Sequence, residues 1–239
     1  MQNKKNLSIV IPVLNESNNI QFLTDKIIKK LKNIEFEVIF VDDNSKDNSY
    51  KILKSLQKKY YFFNPIFRKK ERDLTQSCFD GIRKSKFDKI LIMDGDMQHD
   101  PKYILPMYNK LNKLNCDIVV GARPLSKGPN QGLSEIRRLA SNILIFCFSI
   151  FEMKTSDPMS GFFIFKKEIY LKNKKNYFGK GFKILADILI NSKNNLIVKD
   201  FFIRFKRRYD DKSKMSLKIL MILIKFYLIS IFKKLLSFF

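Results

Sequence analysis

The stretch ILIMDGDMQHDP, residues 90–101, joins a run of four apolar residues directly to a segment that contains three aspartates. The apolar run has the length and composition of a buried strand. Asp94 and Asp96 follow at its end, and Gly95 between them allows the backbone to turn so that both carboxylates point to a common place. The proline that closes the stretch suits the first turn of a helix. The stretch therefore predicts a strand, an acidic loop and a helix in succession.

The two neighbouring carboxylates indicate a divalent metal site. They repel one another unless a cation lies between them, and oxygen-only ligation suits Mg²⁺ or Mn²⁺, ions that keep positions open for substrate phosphates. An Asp-x-Asp triplet alone occurs by chance in many exposed turns. Here it follows a buried-type strand and precedes a helix, so we predict that the pair holds a metal.

Short apolar runs alternate with helical segments through the first half of the chain, which is typical of a parallel sheet with crossover helices. The predicted strands are 7–13, 36–41, 61–67, 89–93, 117–121, 162–165 and 196–205. The predicted helices are 17–31, 47–59, 75–84, 101–114 and 134–151. In open sheets of this kind ligands bind at the carboxyl ends of the strands. Polar clusters follow the first, second and fourth strands, so we expect these three ends to share one crevice.

The composition restricts the class of protein less than the motifs do. The 239 residues carry 46 Lys and Arg against 23 Asp and Glu, a formal net charge of +23, which attracts polyanions or anionic lipid. Lysine is abundant along the whole chain, so the charge alone does not identify a partner. Cys78, Cys116 and Cys147 lack C-x-x-C spacing, which favours buried thiols in a reducing compartment over a disulfide or zinc framework. We expect no export signal at the N-terminus.

The last residues of the chain, 217–239, are mostly apolar but contain four lysines. A helix of this length reaches across a bilayer core of about 30 Å, yet Lys225 would then lie inside the core at a cost of about 2.5 to 3.5 kcal/mol. Lys218, Lys225 and Lys233 fall in one sector of a helical wheel, which favours a helix lying in the membrane interface. We therefore predict an α/β domain over 1–212 and a membrane-associating helix over 213–239.

Five segments occur in the order, and at about the spacing, of family 2 glycosyltransferases with the GT-A fold: LSIVIPVLNESNNI, FEVIFVDDNSKDNS, ILIMDGDMQHDP, IVVGARP and DPMSGFFIFKKEI. The chain resembles more narrowly the dolichol-phosphate mannose synthase group, over about residues 7–215. The resemblance implies an α/β GT-A fold of the Rossmann-like nucleotide-diphospho-sugar transferase type, with a mainly parallel central sheet flanked by helices. It also implies metal-dependent, inverting transfer of a hexose from a GDP- or UDP-sugar to dolichyl or undecaprenyl phosphate at the cytoplasmic face of a membrane.

The same resemblance implies roles for particular residues. Asp94 and Asp96 are implied as metal ligands on the donor diphosphate, with Gln98 as a further ligand. The residues implied in donor nucleotide binding are Pro12, Glu16, Asp42, Asp43 and Asp94. Those implied in phosphate or acceptor binding are Arg123, Arg137, Ser141, Arg208 and Lys214. The residues implied as catalytic are Asp96, Arg123 and Arg137. For Asp47 we favour a structural role as the N-cap of the following helix.

The chemistry of a phosphate acceptor explains why arginines and no general base are expected. A phosphate monoester oxygen is already anionic at pH 7, so it needs cationic positioning, which the fork-shaped guanidinium supplies. Arg137 is preferred to Arg138 because Ser141 lies about one helical turn beyond it. The Ser-Lys element of the family favours Arg208 over its neighbour. His99, the only histidine, is predicted to pack beneath the metal loop.

Departures from the family pattern leave the donor sugar open. Residues 68–75 lack the glycine that the family commonly has after the third strand, and Asp211 stands where the family has glycine before x-Ser-Lys. The alternatives are three other functions: a family 2 enzyme with a polysaccharide or other non-lipid acceptor, a nucleotidyltransferase, and a nucleic-acid-binding protein. The missing C-terminal catalytic-base motif argues against the non-lipid acceptor, and the missing Gly-rich N-terminal loop argues against a nucleotidyltransferase. The basic residues are dispersed along the chain, which argues against nucleic-acid binding. A membrane subunit or a homo-oligomer stays open, and no nucleic-acid partner is expected.

Overall fold

Seven strands form one sheet in the computed structural model, which describes residues 5–123, 151, 154–192, 195–204 and 217–236. The strands are β1 (Asn6–Val13), β2 (Glu35–Asp42), β3 (Ile66–Phe67), β4 (Lys89–Ile92), β5 (Ile118–Ala122), β6 (Phe163–Lys166) and β7 (Val198–Phe202). Their order across the sheet is β3-β2-β1-β4-β6-β5-β7. Strand β6 runs antiparallel to β4 and β5, while the other neighbours are parallel. The predicted mainly parallel α/β sheet is confirmed.

Helices cover both faces of this sheet. They are α1 (Ser17–Lys30), α2 (Ser49–Lys59), α3 (Leu74–Lys84), a 3₁₀ turn (Pro101–Tyr103) leading into α4 (Ile104–Lys113), α5 (Lys167–Asn173), α6 (Ile184–Asn191) and α7 (Leu217–Leu236). In α1 the buried residues Ile20, Leu23 and Ile27 recur at helical spacing and form its inner face. Successive residues of a strand point to opposite faces, so Ile9 packs in one core and Val10 in the other. Two covered faces explain why residues 9–13 of β1 form a continuous apolar run.

The third predicted strand is much shorter than expected. Of the predicted 61–67 only β3 is a strand, preceded by an isolated bridge between Phe63 and Val38. This is an edge of the sheet, and Pro65 has no N–H to donate to the neighbouring strand. The predicted helix over 134–151 lies outside the described residues, apart from Phe151.

The prediction for Asp47 is also wrong in position. The N-cap residue of α2 is Asn48, and it makes no side-chain capping bond. The Asp47 carboxylate instead accepts hydrogen bonds from the backbone N–H groups of Ser17 (2.9 Å) and Ser49 (3.0 Å). Burial raises the pKa of Asp47, but these hydrogen bonds outweigh burial and the pKa is lowered. Asp47 therefore joins the beginnings of α1 and α2.

Helix α7 has one face packed on the domain and one face exposed. Phe226 and Tyr227 are 4% and 3% exposed and belong to a small apolar cluster with Ala186 of α6. Met221, Ile224, Leu228 and Phe232 are exposed large apolar side chains of the same helix. In the part of the chain that the structure describes, no helix has the length and apolarity needed to cross a membrane. The division of the chain at 212/213 stays a prediction.

Candidate active site

A pocket of about 250 Å³ lies at the carboxyl ends of β1, β2 and β4. Its wall contains residues that end or follow each of these strands: Pro12, Val13, Leu14 and Glu16 at the first, Asp43 at the second, and Asp94, Gly95 and Asp96 at the fourth. The three strand ends share one crevice, as the sequence predicted. Asp42 is not part of this wall; its carboxylate accepts a hydrogen bond from the Ser45 N–H at 3.2 Å within the turn.

The backbone bends sharply at all three strand ends. Asn15, Asn44 and Met97 have φ values of 57°, 61° and 66°, which is the left-handed region. Asparagine tolerates this region, but for methionine it is a strained conformation that the surrounding structure must hold in place. Met97 packs against the main core cluster. The acidic loop is thus held in one conformation at a cost in backbone strain.

Close contacts with neighbouring atoms restrict the acidic loop, residues 94–100. A Cβ atom added to Gly161 would lie 2.5 Å from Asp94 Oδ2 and 2.8 Å from Asp94 Oδ1. A Cβ atom added to Gly95 would lie 2.6 Å from Val13 Cγ1. The N–H of Gln98 donates to Asp96 Oδ1 at 3.1 Å. The backbone at Gly161 therefore passes so close to the Asp94 carboxylate that a side chain on residue 161 would collide with it.

His99 supports the acidic loop from below. It is 1% exposed, and its ring stacks on Phe162 with ring centroids 4.9 Å apart. The N–H of Asp94 donates to His99 Nδ1 at 3.1 Å, so that nitrogen is an acceptor and the imidazole is neutral. Burial lowers the pKa of His99. The predicted packing role beneath the loop is confirmed.

The residues present fit a hard divalent cation that is shared with a substrate. Among the described residues, no group of three or more His, Cys, Asp or Glu side chains forms a metal cluster. A Mg²⁺ or Mn²⁺ site that also binds phosphate oxygens needs only one or two carboxylates. Asp94 and Asp96 both line the pocket and supply that pair, whereas Gln98 follows in the same loop but does not line the pocket. The role of Gln98 as a ligand stays a prediction.

A buried arginine holds Asp43 at the pocket. Arg68 is 7% exposed and pairs through Nη1 with Asp43 Oδ1 and through Nε with Asp80 Oδ2 at 2.9 Å. It also donates to Ser77 Oγ at 3.1 Å. The other oxygen of Asp43 accepts the N–H of Asp73 at 2.7 Å. The Asp43 carboxylate is thus a fixed acceptor, stabilised by an arginine that the sequence analysis did not single out.

A segment from the second half of the chain contributes to the pocket wall; we call residues 176–183 the strap. Its Gly181 N–H donates to Asp73 Oδ2 at 2.7 Å, and its Gly179 N–H donates to Asp187 Oδ2 at 2.7 Å. Both glycines have positive φ, 70° and 94° for Gly179 and Gly181, so glycine suits these turns. Burial raises the pKa of Asp73 and of Asp187 despite these hydrogen bonds. The end of the strap, Phe182 and Lys183, forms part of the pocket wall.

Several residues in the wall were missed by the sequence analysis: Arg72, Asp73, Met159, Phe182 and Lys183. A usable signal existed for Asp73, because Asp-x-x-Gln before a helix is a capping pattern and Asp73 Oδ1 accepts the Gln76 N–H at 2.9 Å. The Gly-Lys-Gly stretch of the strap also indicates a turn. Nothing local indicated that this turn lies beside the beginning of α3.

We expect Asp73→Ala to lower the free energy of unfolding by about 1 to 3 kcal/mol, since it removes a helix cap and leaves the buried Gly181 N–H without its acceptor. Urea denaturation measures this loss. Asp25→Ala is the matched control, because Asp25 is exposed on α1 and its carboxylate accepts hydrogen bonds from the exposed side chain of Gln21. Equal stability of the two variants would contradict the role assigned to Asp73.

Arg123 follows the last residue of β5 and forms a bidentate ion pair with Asp157. Its Nε donates to Asp157 Oδ2 at 2.8 Å and its Nη2 donates to Asp157 Oδ1 at 3.2 Å. The side chain of Asp157 is 8% exposed and that of Arg123 is 56% exposed. The hydrogen bonds that Arg123 donates to the Asp157 carboxylate raise the pKa of Arg123. The other predicted phosphate-binding residues, Arg137, Ser141, Arg208 and Lys214, lie outside the described residues.

A mainly parallel sheet with an aspartate pair after β4, a fixed carboxylate after β2 and a pocket between them forms a GT-A-like α/β fold with its site at the carboxyl ends of the strands. The chain belongs to glycosyl transferase family 2, whose family model matches residues 8–173.

Curated relatives and solved structures agree with this assignment. The chain is 32% identical over 212 residues to a dolichol-phosphate mannosyltransferase of Pyrococcus furiosus, covering 87% of this chain and 59% of that relative's length. It is 27% identical over 223 residues to a dolichol-phosphate mannosyltransferase of Mycosarcoma maydis, covering 89% and 74%. The structure of glucosyl-3-phosphoglycerate synthase from Mycobacterium tuberculosis, in complex with Mn²⁺, UDP-glucose and phosphoglyceric acid, has a TM-score of 0.72 at 14% identity, covering 95% and 79%. That similarity shows the fold.

Proposed function

We propose that the protein is a metal-dependent glycosyltransferase that moves a hexose from a nucleotide-diphosphate sugar onto a polyprenyl phosphate. The observation that carries the proposal is the pair Asp94 and Asp96 in the wall of a pocket that also contains Glu16 and Asp43. Two curated relatives are named dolichol-phosphate mannosyltransferases, and a protein of similar fold binds Mn²⁺ and UDP-glucose. The donor sugar and the choice between Mg²⁺ and Mn²⁺ are left open by the proposal.

The nucleoside of the donor is proposed to bind at the β1 and β2 end of the pocket. Asp43 presents a carboxylate that Arg68 keeps in place, and its oxygens retain acceptor capacity for N–H or O–H groups of a base or ribose. Pro12 and Glu16 line the same end of the pocket. Asp42, which the resemblance also implied, braces the adjoining turn in this arrangement.

The diphosphate of the donor is proposed to bind beside the acidic loop. Asp94 and Asp96, with Gln98 as a further proposed ligand, would hold a divalent cation that neutralises charge on the diphosphate when bound. Gly161 keeps side chains away from the Asp94 carboxylate, and His99 fixes the Asp94 backbone. The chain therefore holds its metal ligands in place before any substrate binds.

The acceptor phosphate needs cations, and Arg123 is the described residue proposed to supply one. Asp157 orients its guanidinium through two hydrogen bonds, and more than half of the side chain stays exposed. Arg137, Ser141, Arg208 and Lys214 are proposed as its partners from the resemblance. An ionised phosphate oxygen forms a bond to the anomeric carbon while the bond to the donor diphosphate breaks on the opposite face. The nucleoside diphosphate leaves with the electron pair, so the anomeric configuration inverts and no base is required.

The exposed face of α7 is proposed to lie on the anionic leaflet of a membrane. Met221, Ile224, Leu228 and Phe232 form an apolar face with exposed Lys225 beside them, and the chain has a formal net charge of +23. Apolar side chains with adjacent lysines suit the interface between headgroups and acyl chains. Residues 1–212 are then the catalytic domain, and 213–239 contain the membrane-associating helix at the cytoplasmic face.

Leu228→Gln combined with Phe232→Gln is expected to weaken binding to anionic lipid vesicles at least about tenfold, because each change removes an apolar side chain worth about 1.5 kcal/mol or more on burial. Sedimentation with phosphatidylglycerol vesicles measures the bound fraction. Tyr61→Gln is the control, since Tyr61 is 95% exposed and lies outside α7. Unchanged sedimentation of the double variant would remove α7 from the membrane contact.

The proposed reaction is tested by incubating purified protein and Mn²⁺ with labelled GDP-mannose or UDP-glucose and undecaprenyl phosphate. We expect the label to move into the organic phase on extraction. Label found only in a water-soluble glycan would favour a non-lipid acceptor, which is the alternative function for a family 2 enzyme.

A further inference from the structure

The inner face of α7 contacts the strap directly. The ring of Phe226 packs against that of Phe178, with centroids 5.5 Å apart. Ile222 Cγ2 lies 2.9 Å from the position of a Cβ atom on Gly181, so the helix passes closely over the strap backbone. These contacts lie about one turn apart on α7. They place the helix against the part of the strap that contains its two fixed glycines.

Two further contacts extend this interface. Lys233 Nζ donates to the Asn176 carbonyl at 3.0 Å, at the beginning of the strap. The Tyr227 hydroxyl lies 3.9 Å from Met159 Sδ, and Met159 lines the pocket. Helix α7 therefore contacts the strap from Asn176 to Gly181, and it also contacts a second segment of the pocket wall.

The opposite side of the strap is held by α3. Asp73 accepts the Gly181 N–H, and the Thr75 N–H donates to the Gly181 carbonyl at 3.0 Å. The strap therefore lies between the beginning of α3 and the inner face of α7. Its last residues, Phe182 and Lys183, form the pocket wall, so a shift of the strap changes the shape of the pocket.

We propose that α7 is a positioning element of the donor pocket: Ile222 and Phe226 on its inner face hold the strap against α3, and the docked helix thereby sets the affinity for the nucleotide sugar. The inference rests on the proposed function for what the pocket binds. It assigns the two faces of α7 different roles, since the exposed face contacts lipid and the inner face shapes the pocket. Donor binding is then strongest where α7 is fully docked.

Phe226→Ala tests this inference in detergent solution, where vesicle binding does not enter. We expect the KM for the donor, GDP-mannose or UDP-glucose with Mn²⁺, to rise about tenfold while kcat stays within about twofold. We also expect faster hydrogen exchange at the amides of Gly179 and Gly181. Leu111→Ala in α4 is the matched control. Leu111 is buried in the core that contains Ile9, away from the cluster of Phe226, so its loss reduces stability without changing a contact of the strap. It should leave the donor KM unchanged.

Three outcomes separate the inference from the proposed function. An unchanged donor KM in a folded Phe226→Ala variant overturns the inference, and so does unchanged exchange at the strap glycines. A wild-type protein that binds and transfers no sugar contradicts the proposed function, while the exchange measurement still decides whether α7 holds the strap. If Phe226→Ala does not fold, Phe226→Leu preserves an apolar contact and should show a smaller rise in KM in the same direction.

Discussion

Asp96→Asn is expected to lower kcat/KM by about a thousandfold or more. The change keeps the size of the side chain but removes one of the two negative charges that would hold the cation, and a metal ion at a charged leaving group contributes several kcal/mol of transition-state stabilisation. Asp96 lines the pocket, and its Oδ1 accepts the Gln98 N–H, a bond that asparagine can retain. The fold should therefore persist while activity is lost.

Asp100→Asn is the matched control for this change. Asp100 belongs to the same stretch of sequence, but it does not line the pocket, and its carboxylate accepts the Lys102 N–H at the start of the 3₁₀ turn. Its kcat/KM should stay within a few-fold of wild type. Steady-state assays at several Mn²⁺ concentrations make the comparison, and full activity of Asp96→Asn would remove Asp96 from the metal site.

Gly161→Ala is expected to lower kcat/KM by about a hundredfold, because the added Cβ atom displaces the Asp94 carboxylate that it would otherwise meet at 2.5 Å. A displacement of about 1 Å at a reacting group has this effect on rate. The loss should be accompanied by weaker Mn²⁺ binding, since Asp94 is the proposed ligand. Alanine adds only the Cβ atom, so the variant tests the contact with the Asp94 carboxylate and no larger change.

A second glycine gives the control for a steric clash alone. A Cβ atom on Gly81 of α3 would lie 2.3 Å from Val10 Cγ1, in the core and away from Asp94. Gly81→Ala should therefore reduce the free energy of unfolding but keep kcat/KM per folded molecule. If Gly161→Ala retains its activity, or if both variants lose activity equally, Gly161 does not act through Asp94.

Local patterns in the sequence predicted those parts of the site that lie next to a strand. The apolar run before Asp94 and the acidic residues after β2 are adjacent in sequence to the elements that position them, so the strand ends and the shared crevice followed from periodicity. The position of His99 also followed, because it lies in the same loop. Such features depend on interactions between residues that are close in the chain.

The strap could not be predicted in the same way. It reaches the pocket because Gly181 bonds to Asp73, more than a hundred residues earlier in the chain, and no periodicity encodes that pairing. Helix α6 was missed because it is short and largely apolar, and its polar residues Asp187 and Asn191 are buried and bonded to each other. It therefore lacks the exposed polar face that marks an amphipathic helix in a sequence. The length of β3 was overestimated because the aromatic composition of residues 61–67 predicts a strand throughout. The segment lies at the edge of the sheet, and Pro65 has no N–H to donate to the neighbouring strand.

Arg68 shows how a basic residue in a lysine-rich chain can escape notice. Residues 69–72, which follow Arg68, are all charged and exposed, whereas Arg68 itself is 7% exposed. The local sequence does not distinguish this buried arginine from its exposed neighbours. Its burial depends on Asp43 and Asp80, which come from two different elements. Buried ion pairs of this kind are a property of tertiary structure rather than of local sequence.

The central claim is that Asp94 and Asp96 hold a divalent cation together with the donor diphosphate. Electron paramagnetic resonance of Mn²⁺ titrated into the protein with GDP or UDP tests it most directly. We predict about one Mn²⁺ bound per chain when the nucleotide is present, and loss of that binding in Asp94→Asn and Asp96→Asn variants that remain folded. Equal Mn²⁺ and nucleotide binding by the wild type and both variants would contradict the claim.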